Sequence, residues 1–312
     1  RQWLTDRAGD ATLMSQLTSM GIRLATLNVD GSSTLNGTSG ADVIIGRDQS
    51  GTLGETLSGN DGDDVLFGGN GRDQLSGGSG GDLLSGGADA DSLNGNAGKD
   101  VLFGDDGNDS LSGDAGNDVL YGGNGNDSLM GGDGDDRLSG EAGNDFLQGG
   151  AGNDAYVFGR GGGHDTINNY DANQSRFDML QMEWGIAPSD VKVWRSGDDL
   201  CLQIIGTEDR IDVQYYFRND GHSDYRLDQI YFTDGTAWDI ETVKAMVLVA
   251  GNGNDDIYGY ETDDVIVGSA DNDWLVGRGG NDTISGGAGA DSLSGDDGND
   301  TLSGDDGNDS LS

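Results

Sequence analysis

Aspartate returns at every ninth residue from Asp64 through Asp73, Asp82, Asp91, Asp100, Asp109, Asp118, Asp127, Asp136 and Asp145 to Asp154. A second series, Asp264, Asp273, Asp282, Asp291, Asp300 and Asp309, keeps the same interval. An ionised carboxylate offers only acceptor oxygens. If the chain stacks residues nine or eighteen apart, these side chains form rows of negative charge. The chemistry open to such a row is the capture of cations.

The elements that position the rows follow from the other residues of each nine-residue unit. Residues 59–157 form eleven such units without insertion or deletion. The first position is Gly from Gly59 to Gly149, the fourth is Gly except at Asp89, the sixth is always Asp, and the eighth is Leu from Leu66 to Leu147 with Tyr156 last. Four positions held in phase over this length make a repeat architecture. The Gly, Asn and Asp of the first six positions favour turns and positive φ. The triplet that follows, as in Val65-Leu66-Phe67 or Ser110-Leu111-Ser112, is long enough for a short strand whose middle side chain points inward. Two units then make one flattened circuit. A single unit cannot bury its Leu alone, so circuits must stack on one another.

Stacked strands lie about 4.8 Å apart, which sets the sixth-position carboxylates in vertical rows. Two carboxylates about 5 Å apart at an effective dielectric near 20 repel by roughly 3 kcal/mol. Burying one Leu contributes only about 1.5–3 kcal/mol. Without counter-charge the stack is at best marginal, and a hard divalent cation reverses that balance. Magnesium demands a strict octahedron and dehydrates reluctantly, while zinc and copper want His or Cys, of which the chain has two and one. Calcium accepts several carboxylate and carbonyl oxygens in flexible geometry. It is the ion these residue types favour.

The units resemble the RTX, or haemolysin-type, nonapeptide G-G-x-G-x-D-x-U-x, in which U is a large apolar residue. The resemblance implies a parallel β-roll, right-handed in that family, with Ca²⁺ between stacked loops. It also implies that the sixth-position Asp bridges two ions and that carbonyls of positions one to four complete the shells. Carried onto residues 68–76, those are the carbonyls of Gly68, Gly69, Asn70 and Gly71 with the carboxylate of Asp73. In the same phase the resemblance assigns Gly77, Gly80, Gly95, Gly98, Gly104, Gly107, Gly113, Gly116, Gly122, Gly125, Gly131 and Gly134. In the second series it assigns Gly286, Gly289, Gly295 and Gly298.

The rest of the chain bounds this reading. With 57 acidic against 16 basic residues the formal charge is −41, which argues against nucleic acid and anionic membranes as partners. Such composition also suits a disordered acidic tail, but periodic Leu is not a tail feature. No run approaches the roughly 20 apolar residues of a membrane span. Residues 1–36 are expected to be a lead-in, with Leu13, Leu17 and Met20 at helical spacing and a strand over 22–29. Residues 37–157 are expected to be the first roll, with Asp42 and Ile44 in phase and a looped-out circuit over 46–58 carrying Glu55 in place of Asp.

Residues 158–249 lose the Gly and gain aromatics, and alternation in 191–194 and 200–204 marks a hairpin. Asp239 can cap a helix over 240–249. This stretch resembles the haemolysin-related β-rich segment found between RTX arrays and is expected to be an insert or cap. Residues 250–312 are expected to be a second, truncated roll, with Thr262 and Asp271 where the fourth Gly belongs. Thr tolerates positive φ badly, so this roll should bind calcium poorly at its start.

Residues 77–81 satisfy G-x-S-x-G but lack the strand–turn–helix context of a hydrolase nucleophile. No H-E-x-x-H is present, and His164 and His222 sit in polar loops. The single Cys201 excludes an internal disulfide, so stability outside a cell must rest on metal. The expectation is an all-β, non-enzymatic chain of two parallel β-rolls around a β-rich insert, folding on Ca²⁺. It reads as a piece of a longer secreted bacterial protein. Family resemblance implies export by type I secretion machinery. The alternatives are a spacer in an adhesin or matrix protein, and the C-terminal part of a toxin or enzyme whose active domain lies upstream.

Overall fold

The computed structural model describes residues 23–26, 34–46, 54–173 and 175–312. Contacts divide the chain into two units, residues 1–192, 201–216 and 224–237, and residues 193–200, 217–223 and 238–312. The helix expected around Leu13 to Met20 lies outside the described residues.

In the first unit, successive strands alternate between two parallel sheets. One face carries, among others, Val65–Asn70, Leu83–Ala88, Val101–Asp106, Val119–Asn124 and Arg137–Ala142. The other carries Gln74–Ser79, Ser92–Ala97, Ser110–Ala115, Ser128–Asp133 and Phe146–Ala151. Register is fixed by the repeat: Leu111 pairs with Leu93 on one side and Leu129 on the other, each eighteen residues away. Every eighth-position side chain from Leu66 to Tyr156 is buried. Consecutive residues of a strand face opposite ways, so this one apolar position per unit fills the space between the sheets. The fold is an all-β parallel solenoid of the β-roll type.

Two features differ from the sequence expectation. The strands are six residues long, because positions one to three of the following unit continue the ladder after the apolar triplet. The ladders also run on past residue 157. Ala155–Phe158, Met179–Met182 and Gln229–Tyr231 continue one sheet, and His164–Ile167 and Arg210–Val213 continue the other. Their inward residues Leu180, Ile230, Ile167 and Val213 are buried like the Leu before them. Inward-facing apolar residues at strand spacing keep the stack going after the glycines are lost.

In the second unit, Asp256–Tyr258, Trp274–Val276, Ser292–Ser294 and Ser310–Leu311 form one parallel sheet. Val265–Val267, Thr283–Gly289 and Thr301–Gly307 form the other. Ile257, Ile266, Leu275, Ile284 and Leu293 are its buried core. The helix Ile240–Val247 is capped by Asp239, whose Oδ1 accepts from the Thr242 N–H at 2.9 Å.

Candidate metal centre

Each sixth-position Asp is shared between two circuits. Asp109 Oδ1 accepts the Asp91 N–H at 2.7 Å, and the Asp109 N–H in turn reaches Asp127 Oδ1 at 2.8 Å. The same bond builds one row through Asp42, Asp64, Asp82, Asp100, Asp118, Asp136, Asp154, Asp178 and Asp228. A second row runs through Glu55, Asp73, Asp91, Asp109, Asp127, Asp145 and Asp165. In the second unit the rows are Asp264, Asp282, Asp300 and Asp255, Asp273, Asp291, Asp309. All the Asp residues singled out from the sequence therefore fall in rows.

Sequence reasoning missed two things. Asp178 and Asp228 extend the first row beyond the regular repeats, while Asp165, in the degenerate unit that holds Ile167, and Asp255, in the imperfect unit at 250–258, are in phase in the sequence but not counted among the ligands. The fifth position also forms ladders: Asn108 Oδ1 accepts the Asn126 N–H, Asn126 Oδ1 the Asn144 N–H, and Asn144 Oδ1 the His164 N–H. The recurring Asn-Asp dipeptide was the available signal. Its Asn reaches one neighbouring circuit and its Asp the other.

One oxygen of each Asp is thus used in holding the stack. The other, Oδ2, is buried without a hydrogen-bond partner in Asp64, in Asp82 through Asp154, and in Asp273, Asp282 and Asp291. Such a group is costly unless something compensates it. Burial pushes the carboxyls of Asp91 and Asp154 up to about 8 and those of Asp100, Asp109 and Asp136 up to about 7. The backbone N–H bond pulls each of them back, and neighbouring carboxylates of the row push them further up.

Glycine shapes the space around Oδ2. A Cβ on Gly104 would fall 2.6 Å from Asp109 Oδ2 and collide with the Gly122 carbonyl oxygen. Gly68, Gly77, Gly95, Gly113, Gly122, Gly131, Gly286 and Gly295 stand in the same relation to the Asp of their own units. At the fourth position, a Cβ on Gly116 (φ 148°) would land on the Gly98 carbonyl oxygen. Gly80, Gly98, Gly107, Gly125, Gly134, Gly289 and Gly298 likewise face the fourth-position carbonyl of the preceding circuit. In unit 68–76, Gly69 has φ 126°, Asn70 ends a strand, and the Gly71 N–H reaches the Ala88 carbonyl. The donor set is therefore buried carboxylate oxygen beside close-set carbonyl oxygens. Among the described residues no three acidic, His or Cys side chains converge on one point, so a cation here must take backbone carbonyls as well. Hard, flexible calcium fits that set.

Other chemistry is absent from these positions. His164 is exposed with Nε2 2.9 Å from Asp212 Oδ2. Burial pushes the Cys201 thiol up to about 12, with Asp212 pushing the same way. Ser79 is an exposed residue at a strand end. Among the described residues no helix is long and apolar enough to cross a membrane.

Comparison with known proteins identifies the repeats. A model of the RTX calcium-binding nonapeptide repeat matches residues 29–50, 49–84, 76–111, 85–120, 103–137, 121–156, 130–167, 247–275 and 276–311, more than half of the chain. A model of the haemolysin-type calcium binding protein related domain matches residues 199–242. The iron-regulated protein FrpA of Neisseria meningitidis serogroup C is 42% identical over 111 residues, which are 36% of this chain and 10% of that protein. The chain thus spans about a tenth of that curated relative. Among solved structures, the extracellular lipase LipA from Serratia marcescens aligns at 18% identity over 61% of this chain and 39% of that one, with a TM-score of 0.21. By its repeats, this chain belongs to the RTX calcium-binding nonapeptide repeat family.

Proposed function

We propose that this chain is the calcium-binding repeat region of a secreted bacterial protein, and that its rolls fold when calcium is met outside the cell. The observation that carries the reading is the row of buried Oδ2 atoms without hydrogen-bond partners, each beside carbonyl oxygens. The sixth-position Asp residues from Asp64 to Asp154 and from Asp264 to Asp309 would hold the ions, together with carbonyls of positions one to four. Bound calcium supplies positive charge between oxygens that otherwise only repel. The chain's own residues do the remaining work. Oδ1 locks each circuit to the one before it, and the fourth-position Gly lets the loops approach closely. The eighth-position Leu excludes water from the interior.

Where free calcium is low the rows keep their repulsion and the chain stays unfolded. That suits export as an unfolded chain by type I secretion machinery, a role supported by the family. Because metal binding here is folding energy, circular dichroism should show coil after chelation. The β signal should recover with millimolar Ca²⁺ and not with equal Mg²⁺. A β spectrum unchanged after complete calcium removal would sink the proposal.

A further inference from the structure

Two circuits at the end of the first row carry arginine where the repeats carry their fourth-position glycine. Two residues before the row's Asp, where the repeats carry Gly, stand Arg176 before Asp178 and Arg226 before Asp228. The register is otherwise kept, with Leu180 and Ile230 buried in the eighth place and their strands paired in parallel.

Arg176 is fully buried, and its Nε lies 2.5 Å from Asp178 Oδ2. Its Nη2 donates to the carbonyls of Asp224 at 2.9 Å and Arg226 at 3.1 Å. Asn169 Nδ2 gives Asp178 Oδ2 a second bond at 2.8 Å, and Asp178 Oδ1 takes the Asp154 N–H at 2.9 Å. Both oxygens of Asp178 are therefore satisfied, whereas Asp154, one circuit earlier, leaves Oδ2 bare. The next circuit repeats the device: Arg226 Nε lies 3.0 Å from Asp228 Oδ1, and Oδ2 takes the Asp178 N–H at 2.9 Å. A buried ion pair repays its desolvation only as far as its hydrogen bonds are made; Arg176 makes them through Nε and Nη2, while its Nη1 is buried without a partner. A guanidinium also cannot be deprotonated in proteins, so its charge is always present.

We propose that Arg176 and Arg226 are tethered cations standing in for metal, so that these R-x-D circuits close the row without calcium and give the roll an end that stays folded when the ion is absent. The inference rests on the calcium reading above, since it contrasts circuits that need the ion with circuits that do not.

Hydrogen exchange on the full chain, with and without calcium, tests it. In calcium-free buffer residues 179–182 and 229–231 should exchange at least about tenfold more slowly than residues 101–106. Arg176→Gln should make protection of 179–182 calcium-dependent, while Arg176→Lys, which keeps the charge, should retain most of it without metal. The proposal is overturned if wild-type 179–182 loses protection together with 101–106 on calcium removal. It is equally overturned if Arg176→Gln keeps metal-free protection, or if Arg176→Lys loses it. Protection of 101–106 in calcium-free wild type would instead strike at the calcium reading, and would remove the contrast on which the arginines' role depends.

Discussion

The two rolls share a repeat but not its regularity. In the first, strands from Thr56–Asp61 to Phe146–Ala151 are uniformly six residues long, and the fourth position of units 59–157 is Gly in all but one. In the second, Val265–Val267, Trp274–Val276 and Ser292–Ser294 have three residues each. Its first loops carry Thr262 and Asp271. Asp271 adopts φ 70°, close to the 74° of Asp89 at the same position in the first roll, while Thr262 has no positive φ. In that same loop Asp264 Oδ2 is already taken by the Tyr260 N–H at 2.6 Å, an oxygen that Asp82 to Asp154 leave bare. An early loop of each roll turns its carboxylate on itself: Asp42 Oδ2 likewise accepts from the Thr38 N–H, although Gly40 stands fourth there, whereas Asp91 and Asp273 keep Oδ2 bare behind Asp89 and Asp271.

The largest effect should come from closing the gap between circuits in the regular roll. Gly116→Ala places a methyl on the Gly98 carbonyl, so neighbouring circuits must part. Its calcium-induced β signal should fall sharply, while Asp271→Ala, at a position already holding a side chain, should cost about 1–2 kcal/mol. Next comes the core: Leu111→Ala, fully buried, should cost about 2–5 kcal/mol in denaturant titrations at saturating calcium. Leu311→Ala, 47% exposed, should cost much less.

A pH scan in calcium-free buffer should show a smaller trend. Folded carboxyls near 7–8 at Asp91, Asp100, Asp109, Asp136 and Asp154 lie above the unfolded value of about 4. Their contribution is therefore fully present below about pH 4 and lost as pH rises through about 6–8. Residual β structure in the first roll should be greater at pH 5 than at pH 8, and the calcium midpoint should move the opposite way, to higher calcium at pH 5. The smallest effect is a gain: Thr262→Gly should lower the calcium midpoint of the second roll a few-fold, read by isothermal titration.

Much of this was legible in the residues. Sixth-position Asp and eighth-position Leu prescribe the rows and the core, because each is the one residue of its kind held in phase. Asp239 capping a helix was readable for the same local reason. The six-residue strands were not, since glycine-rich loops carry little strand propensity and pair here only because a neighbouring circuit lies alongside. Nor were the row positions of Asp178 and Asp228: their phase emerges only after loops of irregular length bring Leu180 and Ile230 inward. The second role of Asn108 and its counterparts was hidden because a polar loop residue is usually solvated.

The most direct test compares two carboxylates of one unit. Asp109 lies in the row with Oδ2 buried, whereas Asp106 is exposed and accepts only the Asn124 Nδ2–H at 2.7 Å. Calcium titration of Asp109→Ala should raise the folding midpoint by about tenfold or more, as expected for loss of a charged partner worth roughly 1.5–3 kcal/mol. Asp106→Asn should leave it almost unchanged. Equal shifts in the two variants would mean that calcium follows bulk charge density, and would contradict the row geometry.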